Sequence, residues 1–383
     1  MTREAALSRL HALLPRLGHD YAEGRNTTRS ALDEPTTSVL SPYLRRRLVT
    51  EREVVEGAVA AQGGRAQKFI EEVFWRSYFK GHLETRPALW DGYRDLVAEG
   101  RGRVAENAGL RRALAEAEEG RTGIDGFDDW AHELVAHNWL HNHARMWFAS
   151  IWIFTLKLPW ALGADFFMRH LVDGDPASNT LSWRWVAGLH TKGKPYVARA
   201  DNIRRYTDGR FDPRGLNENP MPLDEAAVAP RPLPRTGAVP RGEVALLLHL
   251  DDLHPESLPL DGVTVVRVGG LLAHADDAAE RVQEADHAAM DDALARAAAH
   301  FNCPAQTVND PVDWAGGQPV VAAWAPVGPS AAALPDCARV RRSWDDAAWP
   351  LSTKGFFQLR TAIPTVLDLE GVGAHRLRGG RDR

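Results

Sequence analysis

The segment KFIEEVFWRSYFKGHL offers a first set of groups with chemical potential. On a helix Glu72, Trp75 and Arg76 fall at i, i+3 and i+4, so a carboxylate, an indole and a guanidinium share one face. A plain amphipathic helix with a Glu–Arg pair reads the same way. In NWLHNHARMWFASIWIF, Asn142, Arg145 and Met146 again share a face, with Trp139 one turn earlier. An amide, a fixed cation and a thioether beside aromatics suit a flat, polar-edged aromatic ligand better than a hydrolytic centre. His141 and His143 stand two apart and point to different helix faces, so no metal site is expected. LVDGDPASNTLSWRWVAG brings Asp173, Asp175 and Asn179 into a turn ahead of Trp183 and Trp185. The spacing of those indoles turns a helix by about 200° and sets them on nearly opposite sides. Paired aspartates can hold magnesium or move protons, yet no phosphate loop or companion base accompanies them, and N-capping accounts for them equally well. In EPTTSVLSPYL, Thr36, Thr37, Ser38 and Ser41 lead toward a helix. Hydroxyls and unpaired amides at such a start make an anion site suited to a pyrophosphate, and a capping box looks the same.

The elements that must position these groups are mostly helices. Apolar residues recur at three and four in Leu7, Leu10, Leu13 and Leu14, in Val54, Val55 and Val59, and in Phe69, Ile70, Val73 and Phe74. Residues 206–242 are rich in proline and glycine and lack periodicity, so 216–242 is expected as a linker. Beyond it GEVALLLHL, VTVVRVG and QPVVAAWAPVG look like buried strands and 274–301 like a long alanine-rich helix, which predicts a small α/β segment over 243–365. The tail 366–383, ending RLRGGRDR, is expected to be disordered.

The 383 residues carry a net charge of −5, distributed unevenly. Residues 1–240 hold 33 Lys and Arg against 31 Asp and Glu, while 241–383 hold 13 against 20, which makes the second part a poor candidate for phosphate contact. Nine of the 13 tryptophans lie in the first part. Two cysteines, Cys303 and Cys337, cannot build a disulfide framework, a four-thiolate zinc site or an iron–sulfur cluster. No apolar run reaches the roughly 18 residues of a membrane span, and the N-terminus has no secretory pattern, so a soluble, cytoplasmic protein is expected.

The motifs TTSVLSPYL, EEVFWRSYF, EGRTG, WLHNHARM and DGDPASNTLSWRW, in this order, resemble the photolyase/cryptochrome family, specifically its all-helical FAD-binding domain. KGKPYVARADNIRRYTDGRFDPRG resembles the stretch that closes that domain. The resemblance covers about residues 20–215 and implies a mainly α protein: a helical FAD-binding domain over 1–215, followed by the small α/β segment. It implies FAD as cofactor. Tyr21, Thr37, Ser38, Val39, Leu40 and Ser41 would hold its ribityl-pyrophosphate portion, and Asn142, Arg145, Asp173 and Asp175 would contact ring and adenine. Arg145 and Asp173 match an ion pair beside the isoalloxazine, where a permanent cation favours the negatively charged reduced ring. Asn179 matches the position facing flavin N5, and asparagine there is the residue type of photolyases.

The implied activity is light-dependent repair of cyclobutane pyrimidine dimers in DNA by electron transfer from excited reduced FAD, that of a deoxyribodipyrimidine photo-lyase, a carbon–carbon lyase. Glu72, Trp75, Met146 and Trp185 match the residues lining the dimer cavity. Trp75 and Trp185 would supply aromatic walls worth about 1–3 kcal/mol per contact, and Glu72 would hydrogen-bond the pyrimidine edge. Arg25, Arg76, Asn142 and His143 are the remaining expected substrate or DNA contacts. Trp183 and Trp160 match the inner and middle members of the family's electron-transfer chain, but Asn107 occupies the aligned outer position, with Trp90, Trp130, Trp147 or Trp152 as possible substitutes. Family members normally begin with an α/β antenna domain. Here the match starts near the N-terminus, and 318–364 faintly resembles the closing portion of such a domain, as if displaced and reduced. The alternative function is a cryptochrome-like blue-light photoreceptor signalling to a protein partner. A (6-4) photolyase is disfavoured by His141-Asn142, where that group usually has paired histidines.

Overall fold

The computed structural model of the chain describes residues 1–29, 35–273 and 277–373. It falls into two compact units that do not follow chain order. The first gathers Met1–Ala22, Leu40–Thr85 and Pro230–Arg383, and the second Glu23–Val39 and Arg86–Ala229. This division differs from the expected boundaries at 215 and 243, because early helices pack with the late sheet.

The second unit is helical, and its core explains the wealth of tryptophan. Trp130, Trp147, Trp152 and Trp183 are fully buried with Phe127 and Phe148. Helices Ala88–Glu106, Phe127–His137, Asn142–Ser150, Trp160–His170 and Pro176–Val186 enclose them. Gly163 permits the closest approach, since a Cβ there would lie 2.3 Å from the Trp183 ring and 2.8 Å from that of Trp152. Asn107 has a local structural role: its side chain accepts from the Leu110 amide at 3.0 Å and caps helix Ala108–Glu118.

Residues 207–241 contain no helix or strand, as their composition predicts. The stretch is nonetheless pinned at intervals. In the second unit Leu223 N–H donates to Ala187 O, and Glu225 receives both terminal nitrogens of Arg184. In the first, Arg231 N–H donates to Thr85 O and Arg341 to Pro234 O.

The first unit carries a five-stranded, all-parallel sheet in the order β3-β2-β1-β4-β5. Its strands are β1 (Gly242–His249), β2 (Val263–Leu271), β3 (Ala305–Thr307), β4 (Val320–Ala323) and β5 (Ala338–Val340). β1 is buried on both faces: Val244, Leu246 and Leu248 meet Met290 and Leu294, while Leu247 meets Leu271 and Val308. The expected helix over 274–301 spans Glu280–Phe301; residues 274–276 lie outside those described. The expected disordered tail is corrected in part. Helix Phe356–Leu369 reaches residue 369 and Val372 is buried in a hydrophobic core, while 374–383 lie outside the described residues.

Two devices join the early helices of this unit to its sheet. Helix Gln67–Glu84 lies so close to Trp349 that a Cβ on Gly81 would sit 2.8 Å from the Trp349 Cα. The run Arg45, Arg46, Arg47 is buried, and each guanidinium meets carboxylates from beyond residue 250. Arg45 reaches Asp251 at 2.9 Å, Arg46 donates to Asp286 from Nε at 2.8 Å, and Arg47 donates to Asp345 at 2.6 Å, Glu51 at 3.1 Å and Asp252 at 3.3 Å. Part of the acidic excess of the second half is therefore internal counter-charge.

Candidate functional site

The expected site residues are shared between the units. Tyr21, Leu40, Ser41, Glu72, Trp75 and Arg76 belong to the first unit; Arg25, Thr37, Ser38, Val39, Asn142, His143, Arg145, Met146, Trp160, Asp173, Asp175, Asn179, Trp183 and Trp185 belong to the second.

In the second unit, Arg145 lies on the first turn of helix Asn142–Ser150. Its Nε donates to Leu140 O at 2.7 Å and one Nη donates to both oxygens of Asp173, at 3.0 and 2.9 Å. The turn that carries Asp173 is fixed by Val172 N–H donating to Asn138 O and by the Asp175 side chain, which accepts from the Ser178 amide at 2.7 Å and caps helix Pro176–Val186. The capping reading of Asp175 thus holds, and the cap places Asn179 one turn inward. Its Nδ2 donates to Ala164 O at 2.8 Å, which fixes the amide and turns Oδ1 away from that bond.

Next to this pair the histidines have defined states. His141 Nδ1 accepts from the His143 amide at 3.1 Å, so the ring proton resides on Nε2, 3.3 Å from the Thr36 hydroxyl, which itself donates to Thr27 O. Burial, with His143 and Arg145 nearby, pushes His141 down to about 3 and keeps it neutral. His143, expected as a DNA contact, is instead buried: its ring stacks on Trp147 at 4.0 Å and Nδ1 donates to Asn26 O at 2.9 Å. The aromatic ring finds more apolar area inward than outward. Asn142 is exposed, and Arg25 and Met146 are half-buried.

Trp183 and Trp185 do lie in different surroundings. Trp183 is in the core against Trp152 and Phe167, whereas Trp185 is half-buried and stacks on Tyr196 at 5.3 Å. Trp160 has Tyr93 at 5.9 Å and the Arg184 guanidinium over its ring, and Tyr93 in turn has half-buried Trp90 at 5.2 Å. Tyr93 was not singled out by the sequence, since its helical spacing is that of any core residue.

In the first unit, Glu72, Trp75 and Arg76 are half-buried on helix Gln67–Glu84. One face of Trp75 is already covered, for Phe356 stacks on it with centroids 3.8 Å apart and planes 15° from parallel. Tyr21 meets Phe69 edge-on at 5.3 Å, and Ser41 opens helix Ser41–Arg45. The Leu40 side chain is fully buried in a hydrophobic core, which leaves its backbone rather than its side chain for any ligand contact.

Comparison with known proteins places these groups in context. Residues 69–216 match the family described as FAD binding domain of DNA photolyase. A deoxyribodipyrimidine photo-lyase of Streptomyces griseus is 34% identical over 197 residues, 51% of this chain and 40% of that protein. One from Thermus thermophilus is 33% identical over 213 residues, 55% of this chain and 48% of its own. The chain thus spans less than half the length of these relatives. Among solved structures, a class III photolyase from Agrobacterium tumefaciens aligns with a TM-score of 0.44 and 26% identity, covering 54% of this chain and 44% of that one. No described helix is long and apolar enough to cross a membrane.

The cofactor of the matched family is FAD, and three features of the second unit suit it. The Thr37 and Thr180 hydroxyls are buried without a partner among the described residues, a cost that a polar ligand would relieve. Val39, β-branched, is held at φ 48°, a strained conformation within the hydroxyl-rich segment. The fixed Arg145–Asp173 pair and the oriented Asn179 amide provide charge and an acceptor at defined positions. Over residues 69–216 the chain is therefore similar to the FAD binding domain of DNA photolyase, and the second unit's own groups suit that cofactor.

Proposed function

We propose that this protein repairs cyclobutane pyrimidine dimers in DNA under light. The observation that carries the reading is the Asn179 amide, held by Ala164 O in a unit that also fixes Arg145 on Asp173. Reduced FAD, when bound, supplies on illumination the single electron that opens the cyclobutane ring and accepts it back. The chain's own residues hold and tune. Arg145 places a permanent positive charge that favours negative charge beside it. Asn179 can accept or donate a hydrogen bond but has no acidic proton to transfer. In the second unit Thr37 and Ser38 offer hydroxyls to a pyrophosphate, and Asp175, already a cap, keeps the Asn179 turn in place.

On the substrate side the first unit offers Glu72 as acceptor for the pyrimidine edge and Trp75 as a stacking surface, and the second unit by itself offers Trp185 as an indole for stacking. Trp75 is braced by Phe356 and Trp185 by Tyr196, so both indoles meet a base without first being ordered. Met146 supplies an adaptable thioether contact. Trp183, Trp160, Tyr93 and Trp90 offer aromatic steps toward the surface for recharging the cofactor. The sheet order β3-β2-β1-β4-β5 is that of a doubly wound α/β fold, which supports reading the late segment as an antenna-like domain.

The test is repair of a thymine-dimer oligonucleotide by the reduced, FAD-loaded protein in light and in darkness. Light-dependent recovery of intact thymines is expected, and Glu72→Ala should lose most of it. Dimers that persist equally in light and dark would overturn the repair reading. A light-dependent change in protease sensitivity over 241–383 without repair would favour the photoreceptor instead.

A further inference from the structure

Of the stretches that the late, acidic part of the chain packs on the helix bearing Glu72 and Trp75, one meets it at Trp75 itself. Glu71 and Trp75 lie one turn apart on helix Gln67–Glu84, and Phe356 and Arg360 lie one turn apart on helix Phe356–Leu369. Trp75 stacks on Phe356 and Glu71 accepts from Arg360 Nε at 2.8 Å, so the helices run antiparallel here, with the first turn of the later one at the level of Trp75. Tyr78 fixes the approach by donating from its hydroxyl to Lys354 O at 2.9 Å. The next residue after the stacked ring, Phe357, is 71% exposed. Lys354 and Gly355 are exposed as well.

The charge of this patch opposes that of its own segment. Lys68 and Arg360 both reach the single carboxylate of Glu71, at 3.2 and 2.8 Å, and Lys354, whose carbonyl holds Tyr78, adds a further cation two residues before Phe356. A net positive patch with a protruding aromatic ring fits a polyanion that has a hydrophobic gap to fill. A duplex from which a dimer has swung out is such a polyanion, because it loses stacking where the lesion stood, and apolar side chains inserted between base steps are a recurring way to occupy that space.

We propose that the turn Lys354–Phe357 is part of the DNA-contacting face, with Phe357 filling the gap left by the displaced dimer, Lys354 and Arg360 on phosphates, and Phe356 acting as a positioning residue behind Trp75. The inference rests on the repair reading above. It is tested in the dark with the full FAD-loaded chain, by measuring affinity over a salt series for a dimer-containing duplex, an undamaged duplex and a single-stranded dimer oligonucleotide. Phe357→Ala should weaken the dimer duplex about tenfold while leaving the single strand unchanged, since only the duplex has a gap, and Phe357→Trp should restore binding. Lys354→Ala should lower the slope of log affinity against log salt by about one for every DNA. Parent-like affinity and slope in both alanine variants would overturn the proposal and leave the repair reading standing. A parent that fails to distinguish the dimer duplex from the undamaged one would overturn both.

Discussion

Arginine and aspartate are paired in both units, yet the two arrangements do different work. In the first unit Arg47 commits Nε and both terminal nitrogens to Glu51, Asp252 and Asp345, and all four side chains are 1–2% exposed. In the second, Arg145 gives Nε to Leu140 O and one terminal nitrogen to Asp173, with the guanidinium side chain 22% exposed and the aspartate 3%. Among the described residues its other terminal nitrogen has no partner. A saturated, dry cation acts as a staple. A cation fixed by two atoms and open at a third is prepared for something outside the protein.

This contrast breaks or survives at Arg47 first. Arg47→Met leaves three buried carboxylates without their shared cation and should cost about 3–5 kcal/mol of stability by chemical denaturation. A loss below about 1 kcal/mol would mean that the network is no staple. A smaller effect of a different kind is expected at Arg145. Arg145→Lys keeps the charge but not the two-oxygen grip on Asp173, so FAD affinity should fall about tenfold with little change in denaturation midpoint. If the midpoint moves and the affinity does not, Arg145 is as structural as Arg47.

The mildest effect sharpens the comparison by sign. Burial pushes Glu84 in the first unit up to about 7, where its carboxylate accepts from Val327 N–H and Trp324 Nε1–H. The folded protein therefore holds that proton longer than the unfolded chain, so this residue's contribution declines as pH rises from about 4.5 to about 7. Burial pushes His141 in the second unit down to about 3, so the unfolded chain takes up that proton first and stability declines as pH falls below about 6.5. Hydrogen exchange followed by segment should show Glu84→Gln gaining protection over the parent at pH about 8 and not at about 5. His141→Asn should flatten acid sensitivity in its own unit. The same pH response in variant and parent would remove either residue from the account.

What the sequence disclosed depended on whether the signal was local. β1, β2 and β4 are apolar runs bounded by turn residues and are legible; β3 and β5 have three residues each, too few for periodicity to speak. The capping role of Asp175 and the opposed settings of Trp183 and Trp185 follow from spacing alone. The stack of Phe356 on Trp75, the burial of His143 against Trp147 and the carboxylates that meet Arg45, Arg46 and Arg47 do not, because each depends on a partner that the chain brings from far away or on how tightly a neighbour packs. Nothing distinguishes three adjacent arginines bound for the interior from three that face water until their counter-ions are located.

The distance between those counter-ions and their arginines bears on how the molecule is made. Arg47 and Asp345 are 298 positions apart, and Arg46 and Asp286 are 240 apart. On the ribosome Arg47 cannot complete its set of carboxylates until Asp345 has emerged, whereas the tryptophan-rich core can close once residue 229 has been added. Translation order thus lets residues made before most of that core reach their final partners after it has closed.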